Sequence, residues 1–353
     1  MTITHGGNIF ALARQLHCEP ADILDFSASI NPLGMANGVR EAIVNAIDRI
    51  AHYPEQQSHV LNAALANQWE VPTEYVLTGN GATDLIHFVG RAPGSHRGPA
   101  LGHSLTNPDR KGGDDPASLV TLLIPTFSEF HRAYPRAKLV RRWEELTGLG
   151  VVTRPNNPFG TILPIEALEN KLRESHWLLV DESFLEFTDA PSALQLVPRH
   201  ENLLVLRSLT KLHALPGLRV GALVGQSVPA MMPYREPWQV SVLAEAASLA
   251  AIRATDHHQR TRNFVTAERG WLAGRLAELP GLRPLAGTAN YLLVWTTQDP
   301  APLVSWLATR RVLVRDCTHI PGVDAPAIRL AVRLRADNER LLELLREFLC
   351  AGS

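Results

Sequence analysis

Cysteine is scarce in this sequence, and the cysteines that occur are far apart. The 353 residues include only Cys18, Cys317 and Cys350. An odd number at such wide spacing does not build the disulfide framework of a small secreted protein, and it lacks the close pairs of a zinc site. The sequence therefore favours a reducing, cytoplasmic setting and predicts no metal site.

Long apolar runs and an excess of one charge are lacking as well. No uninterrupted apolar run approaches the ~18 residues of a membrane helix, and the first residues show no signal-peptide pattern. The net charge is -1, which argues against nucleic acid or an anionic membrane as the main partner. With 45% hydrophobic and 20% charged residues, the chain has the composition of an ordinary globular protein of about two domains.

Apolar segments alternate with helical patterns from about Val76 to Val224. This alternation predicts an α/β fold with a mostly parallel central sheet in one large domain. The shorter elements that follow predict a smaller α+β domain. The expected division is a lid segment and helix in residues 1–50 that contribute to the small domain, a large domain in 51–255, and a small domain with an interdomain helix in 256–353.

Three local features are also expected from the residue pattern. Asn37 can cap a helix that runs to about Arg49 and places its apolar residues on one face. The run from Val312 to Arg315 is predicted to be one strand. Residues 91–116 show neither helical nor strand periodicity and are expected to form an exposed loop.

The stretch around Lys211 carries the main chemical prediction. It follows the apolar run Leu203-Leu204-Val205-Leu206-Arg207, so the lysine lies just beyond the carboxyl end of a predicted strand, where sites in open α/β sheets collect. A lysine desolvated there can form a Schiff base with an aldehyde, while Ser208, Thr210 and Arg219 could hold a phosphate. This combination suggests pyridoxal phosphate. A surface lysine in a polar loop is the alternative.

A glycine-rich turn follows an earlier predicted strand. The backbone amides of Gly81, Ala82 and Thr83 lie at the start of a predicted helix, where they would favour an anion such as a phosphate. A tight turn without a ligand remains the alternative.

Three further residues follow apolar runs and could contact a flat cofactor. Phe127 could stack on a ring, although such a residue is more often part of the core. The amide of Asn157 could donate to a phenolate oxygen. Asp181 could keep a pyridine nitrogen protonated, which makes the ring an electron sink, or it could cap a turn.

Arg315 and Arg329 each come from an apolar strand in the C-terminal part. A guanidinium in such a place must be paired, and a substrate carboxylate or phosphate is a suitable bidentate partner. An internal salt bridge is the alternative.

Taken in order, Asn157, Asp181, Lys211, Arg219 and Arg329 resemble the fold-type I pyridoxal-phosphate enzymes, in the branch of histidinol-phosphate aminotransferase and threonine-phosphate decarboxylase, over essentially the whole chain. The resemblance implies that Lys211 is the Schiff-base lysine, that Asp181 contacts the pyridine nitrogen and that Asn157 contacts the ring oxygen. It also implies further cofactor contacts, which are stacking by Phe127 and phosphate binding by Gly81, Ala82, Thr83, Ser208 and Arg219.

The same resemblance implies partners for the site. Tyr53 matches a tyrosine that reaches the cofactor phosphate of the neighbouring subunit, so a homodimer with shared sites is expected. Arg329 matches the arginine that binds the substrate α-carboxylate. The substrate phosphate is expected to contact His5, Asn31 and Arg315.

Three features resemble the decarboxylase group of this family. They are the opening motif His5-Gly6-Gly7-Asn8, the motif Arg315-Asp316-Cys317, and Phe184 where aminotransferases carry a tyrosine. The implied reaction is decarboxylation of L-threonine O-3-phosphate to (R)-1-amino-2-propanol O-2-phosphate, a building block of cobalamin. A histidinol-phosphate or related aminotransferase is the alternative, because the two reactions share nearly every residue.

Overall fold

A computed structural model describes residues 6–91, 120–174 and 177–351. The helices in these ranges are α1 Ile9–Leu16, α2 Val39–Asn45, α3 His59–Trp69, α4 Gly81–Arg91, α5 Ser128–Ala133, α6 Ile165–Arg173, α7 Val228–Met231, α8 Val242–Ile252, α9 Thr255–Ala277, α10 Ala301–Thr309 and α11 Arg335–Ala351. Short 3-10 turns cover Pro20–Asp22, Ile47–Ala51, Thr73–Tyr75, Trp143–Glu145, Leu185–Phe187, Ala193–Arg199 and Met232–Tyr234.

The strands form three sheets. They are β1 Leu24–Asp25, β2 Val76–Gly79, β3 Val120–Leu123, β4 Lys138–Val140, β5 Leu149–Thr153, β6 Trp177–Asp181, β7 Leu203–Ser208, β8 Gly221–Val224, β9 Leu282–Pro284, β10 Tyr291–Thr296, β11 Val312–Leu313, β12 Arg315–Asp316 and β13 Ala327–Ala331. The large sheet has the order β2-β8-β7-β6-β5-β3-β4, and the small sheet has the order β12-β13-β10-β9. Strands β1 and β11 pair with each other.

The large sheet is parallel except at β8, which runs antiparallel to both of its neighbours. Every residue of β5, β6 and β7 is buried, as expected of strands covered by helices on both faces. One apolar cluster includes Val152, Val180 and Val205, and a second includes the alternating residues Val151 and Leu179. The predicted α/β fold with a mostly parallel central sheet is therefore confirmed.

Strand register brings the polar ends of the large sheet together. Asp181 is the partner of Thr153 on one side and of Leu206 on the other, and Ser208 is the partner of Gly221. Because β8 is antiparallel, its first residue lies at the edge where β7 ends. The segments after β5, β6 and β7 therefore begin side by side, as the sequence predicted for this edge.

The N-terminal segment is joined to the C-terminal part of the chain. Leu24 and Asp25 pair in parallel with Val312 and Leu313, and Ala331 donates its backbone N–H to the carbonyl of Phe26 over 2.8 Å. This pairing fits the expectation that residues 1–50 contribute to the small domain. The boundaries themselves remain a prediction.

Two local predictions were wrong. The helix expected from Asn37 to Arg49 instead begins at Val39 after Gly38, whose φ of 83° suits glycine, and it ends at Asn45 before a 3-10 turn. The break turns Ile47 and Ile50 towards the surface instead of onto a buried face.

The strand expected from Val312 to Arg315 is divided between two sheets, since β11 pairs with β1 while β12 joins the small sheet. Most of the predicted loop 91–116 lies outside the described residues. In the ranges that the structure covers, no helix is both long and apolar enough to cross a membrane.

Candidate active site

Lys211 lies three residues beyond β7, next to the end of β6. Its half-buried side chain places Nζ 5.5 Å from the centre of the Phe184 ring. Burial, together with the positive charges of Arg329 and Arg219, lowers the pKa of Lys211 to about 8. Asp181 opposes this decrease. The amine is therefore closer to its uncharged, nucleophilic form than an exposed lysine would be.

Asp181 is the buried last residue of β6. Its Oδ1 accepts hydrogen bonds from the backbone N–H and the hydroxyl of Ser183, over 2.8 Å and 2.5 Å. Burial has the largest effect on Asp181 and raises its pKa. The hydrogen bonds from Ser183 and the charge of Lys211 offset part of this increase. The two side chains affect each other's pKa, which fits a site at the ends of neighbouring strands.

A narrow cradle lies between the start of α4 and the segment after β7. Gly81 has a φ of 83°, and a Cβ added there would lie 2.7 Å from Nη2 of Arg219. The hydroxyls of Ser208 and Thr210 lie 2.7 Å apart. At the start of β8, a Cβ on Gly221 would lie 2.7 Å from the backbone nitrogen of Ala82. Glycine suits the positive φ at position 81, and at position 221 it lets the two backbones approach closely.

This cradle and the Lys211–Asp181 pair fit pyridoxal phosphate. Backbone amides at the helix start, two hydroxyls and the exposed guanidinium of Arg219 are donors suited to a phosphate group. A lysine of lowered pKa suits covalent attachment of an aldehyde, and a buried carboxylate suits a protonated pyridine nitrogen. The sequence prediction placed all these groups together, and the structure places them at one sheet edge.

Asn157 and Arg329 contact each other directly. Arg329 Nη1 donates to Asn157 Oδ1 over 2.6 Å, and Nη2 donates to the carbonyl of Ser27 over 2.8 Å. The third nitrogen, Nε, is buried without a hydrogen-bond partner. Arg329 therefore joins the small sheet to the loop after β5 and to the N-terminal segment, and its Nε donor has no partner in the protein.

Arg315 lies beside Arg329 in the small sheet. The two residues are direct partners in the antiparallel pair of β12 and β13, so their side chains leave the same face. Burial and the charge of Arg329 lower the pKa of Arg315. Two adjacent guanidiniums repel each other, and a ligand with two acidic groups would relieve that repulsion.

The N-terminal motif lies on Ser27. The backbone N–H of Gly7 donates to Ser27 Oγ over 2.7 Å, and a Cβ added to Gly6 would lie only 2.2 Å from the Ser27 carbonyl oxygen. Asn8 caps α1 by accepting from the backbone of Ala11. His5 lies outside the described residues. The motif therefore contacts the same carbonyl group that binds Arg329.

Asn31, which is expected to contact the substrate phosphate, has several hydrogen-bond partners within the protein. Its Nδ2 lies within hydrogen-bond distance of the Leu212 carbonyl, Thr261 Oγ1 and His257 Nε2, and its Oδ1 accepts from the backbone of Leu33. The side chain is buried and is used by the protein itself. Its contact with the substrate phosphate stays a prediction.

Phe127 and Tyr53 differ in their surroundings. Phe127 is half-buried immediately before α5 and borders an apolar cluster. Tyr53 is 81% exposed and stacks on Trp238 with a ring separation of 4.8 Å. An exposed tyrosine beside a second aromatic residue fits a contact with another subunit.

Sequence reasoning missed Tyr291, which reads as a core residue of a strand. Its ring packs edge-on against Phe184 at 5.1 Å, and the Arg329 guanidinium lies 5.2 Å from its centre. Its hydroxyl donates to the carbonyl of Asn156 over 2.6 Å. Burial raises the pKa of Tyr291, so it stays protonated and remains a donor. A tyrosine inside an apolar strand was the only available signal.

A buried ion network behind Asp181 was also missed. Glu182 accepts from Arg154 over 3.0 Å and from Arg207 over 3.1 Å, and Ser192 donates to the same carboxylate. All three charged side chains are almost completely buried. The network ties the ends of β5, β6 and β7 together beneath the site.

Comparisons with known proteins agree with this geometry. The profile of the family described as "Aminotransferase class I and II" matches residues 138–346. A threonine-phosphate decarboxylase of Salmonella typhimurium is 35% identical, over 98% of this chain and 96% of its own. Histidinol-phosphate aminotransferase 2 of Archaeoglobus fulgidus is 30% identical, over 92% of this chain and 93% of its own.

The fold is shared with solved structures. A histidinol-phosphate aminotransferase of Sinorhizobium meliloti, solved in complex with pyridoxal-5'-phosphate, superposes with a TM-score of 0.81. The superposition covers 98% of this chain and 95% of the aminotransferase chain, and the two sequences are 20% identical.

Proposed function

The chain belongs to the family of class I and II aminotransferases, and from this premise we propose that it decarboxylates L-threonine O-3-phosphate to (R)-1-amino-2-propanol O-2-phosphate. Its cofactor is pyridoxal phosphate, which when bound accepts the electrons of the broken bond into its ring. The product is a building block of cobalamin, and we propose that the chain serves that biosynthesis.

The adjacent guanidiniums of Arg315 and Arg329 are the observation on which the substrate proposal depends. L-Threonine O-3-phosphate has a carboxylate and a phosphate on neighbouring carbon atoms, so it offers two acidic groups a short distance apart. Arg329 would bind the carboxylate, and Arg315 the phosphate, with help from the N-terminal motif. Each contact would be a charge-assisted, bidentate hydrogen bond.

Other side chains would orient the cofactor and supply a proton to the substrate. Asn157, which already accepts from Arg329, would hold the ring oxygen and so connect the substrate carboxylate to the cofactor plane. Asp181 would hold the ring nitrogen in its protonated form. Lys211 Nζ would attach the cofactor and return a proton to the carbon that has lost carbon dioxide. Phe184 has no hydroxyl, so it adds no donor at this position.

A histidinol-phosphate aminotransferase is the second candidate, favoured by the Archaeoglobus relative. Incubation of the purified holoenzyme with L-threonine phosphate separates the two candidates. Release of carbon dioxide without a keto acid supports decarboxylation. Turnover that depends strictly on 2-oxoglutarate would instead establish the aminotransferase. A protein that develops no visible absorbance band with pyridoxal phosphate would have only a binding role.

We also propose a homodimer with shared sites. The exposed apolar residues of the 44–53 segment, Val44, Ile47, Ile50 and Tyr53, accompany the exposed Trp238. An apolar surface of this kind favours association with another copy. Sedimentation of the holoenzyme as a monomer would exclude the dimer.

Mixing two variants tests whether Tyr53 serves the partner's site. In a heterodimer of Tyr53→Ala and Lys211→Ala, shared sites would leave one site intact and the other doubly altered. Activity should then exceed that of either homodimer. If Tyr53 serves its own site, no intact site forms and activity does not recover.

The reducing location is also part of the proposal. Cys18, Cys317 and Cys350 form no disulfide with one another. Burial raises the pKa of the Cys317 thiol to about 11, which keeps it protonated and unreactive. These features support a cytoplasmic enzyme.

A further inference from the structure

The two substrate arginines of the proposed function lie on one β-hairpin. Arg315 is in β12 and Arg329 is in β13, and residues 317–326, here called the hairpin tip, connect the two strands. The tip has its own hydrogen bonds. Ile320 donates its N–H to the Cys317 carbonyl over 3.1 Å, and Val323 donates to the Ile320 carbonyl over 2.9 Å. The tip is therefore an ordered turn that can transmit its position to both arginines.

The tip contacts the loop that leaves β3. Gly322 has a φ of 92°, and a Cβ added there would lie 2.7 Å from the backbone nitrogen of Pro125 and 3.0 Å from the carbonyl carbon of Ile124. Phe127, assigned above to cofactor stacking, follows two residues later in this loop. The Pro125 carbonyl also accepts from Asn156 over 2.8 Å. The tip therefore meets the loop after β3 directly and is linked to the loop after β5 through Asn156.

A second contact lies at the far end of the tip. Arg141, just after β4, donates from both terminal nitrogens to the carboxylate of Asp324, over 2.6 Å and 2.8 Å. The pair lowers the pKa of Asp324 and raises that of Arg141. Both side chains are more than half exposed, so the pair contributes little to folding. Its bidentate geometry instead fixes where the tip lies.

We propose that the hairpin tip is a latch between the small sheet and the large sheet, and that Gly322, Arg141 and Asp324 are positioning residues for the reaction. A docked tip holds Arg329 against Asn157 and Arg315 beside Arg329. When the tip is undocked, the hairpin can turn away, and the two guanidiniums lose their alignment with the substrate. Because the latch touches no reacting atom, its loss should affect substrate binding more than the chemical step.

Charge reversal of the ion pair tests this proposal. We expect Arg141→Asp and Asp324→Arg each to raise KM for L-threonine phosphate about two- to fivefold, with a smaller change in kcat. The double variant Arg141→Asp/Asp324→Arg restores the attraction and should return KM to near its original value. The control is another exposed ion pair, Asp22 and Arg311, which lies outside the tip, and its reversal should leave KM unchanged.

Hydrogen exchange of the holoenzyme gives a readout that needs no turnover. The amides of Ile320 and Val323 should exchange faster in each single variant and recover in the double variant. Gly322→Ala, in which the added methyl group meets Pro125, should also increase exchange.

Unchanged exchange in both single variants, or failure of the double variant to recover, would overturn the latch. If the exchange pattern is as expected but no carbon dioxide is released from L-threonine phosphate, the latch stands and only the proposed function is rejected.

Discussion

Arg329 donates to Asn157 over 2.6 Å, and this hydrogen bond joins a strand of the small sheet to the loop after β5. The two residues are assigned to different ligands, the substrate carboxylate and the ring oxygen of the cofactor. Under the proposed function, substrate and cofactor would be held by one connected pair of side chains. A change at either residue should therefore affect both ligands.

Replacement of Lys211 by alanine should abolish covalent attachment of pyridoxal phosphate. We expect the visible absorbance band of the holoenzyme to disappear and activity to fall by about 10^3-fold or more, because both the nucleophile and the proton donor are lost. Lys138→Ala, at an exposed position, is the control and should change neither. A Lys211→Ala protein that keeps the band would show that another amine attaches the cofactor.

The rate of cofactor attachment should depend on pH with a midpoint near 8. Burial and two guanidiniums lower the pKa of Lys211 to about 8, so its uncharged fraction rises as pH increases through this value. Below the midpoint the rate should rise about tenfold per pH unit and then level off. Stopped-flow absorbance of apoprotein mixed with pyridoxal phosphate measures this.

Replacement of Arg329 tests whether the neighbouring positive charges cause the lowered pKa of Lys211. Arg329→Gln removes a charge that lowers the pKa of Lys211, so the midpoint should move to higher pH. A midpoint above about 10 in the unaltered protein would contradict the pKa given by the geometry.

Arg329→Ala should weaken substrate use strongly. The loss of a charge-assisted bidentate contact is expected to lower kcat/KM for L-threonine phosphate by about 10- to 100-fold. Steady-state kinetics measures this, and Arg283→Ala, at an exposed position of β9, serves as the control. Equal kinetics of the Arg329 variant and the original protein would rule out the assigned role.

Gly6→Ala should displace the N-terminal motif. A Cβ at this position would lie 2.2 Å from the Ser27 carbonyl oxygen, so the segment must move. Because the same oxygen accepts from Arg329, we expect KM to rise about tenfold while the fold persists. Gly270→Ala, where an added Cβ meets open space, is the control. An unchanged KM for Gly6→Ala would show that the N-terminal motif does not contribute to substrate binding.

Tyr291→Phe removes one buried hydrogen bond. The Asn156 carbonyl loses the donor that now lies 2.6 Å away, so the free energy of unfolding should fall by about 1 kcal/mol. Urea unfolding of the holoenzyme measures the change, with the exposed Tyr234→Phe as control. If the two variants are equally stable, the bond does not contribute to folding.

The chain order of polar residues after apolar strands predicted much of the fold and of the site. Strands that are buried on both faces need continuous apolar sequence, which is why β6 and β7 could be located and why Asp181 and Lys211 were expected at one edge. Parallel neighbours place their carboxyl ends together, so no long-range information was needed for this pair.

Contacts between distant segments could not be predicted in this way. The sequence gives no sign that the amide of Asn31 lies within hydrogen-bond distance of Leu212 and Thr261. Tyr291 looks like core until its hydroxyl is seen to bind the Asn156 carbonyl. In each case the partner lies more than a hundred residues away, and residue spacing contains no information about it.

The parallel pairing of Leu24 with Val312 has a consequence for synthesis on the ribosome. Strand β1 pairs with a partner that is made about 290 residues later. At roughly 5–20 residues per second, that interval lasts about 15–60 s. The pairing of β1 with β11, and with it the attachment of the N-terminal segment to the C-terminal part of the chain, can therefore form only when translation of the chain is nearly finished.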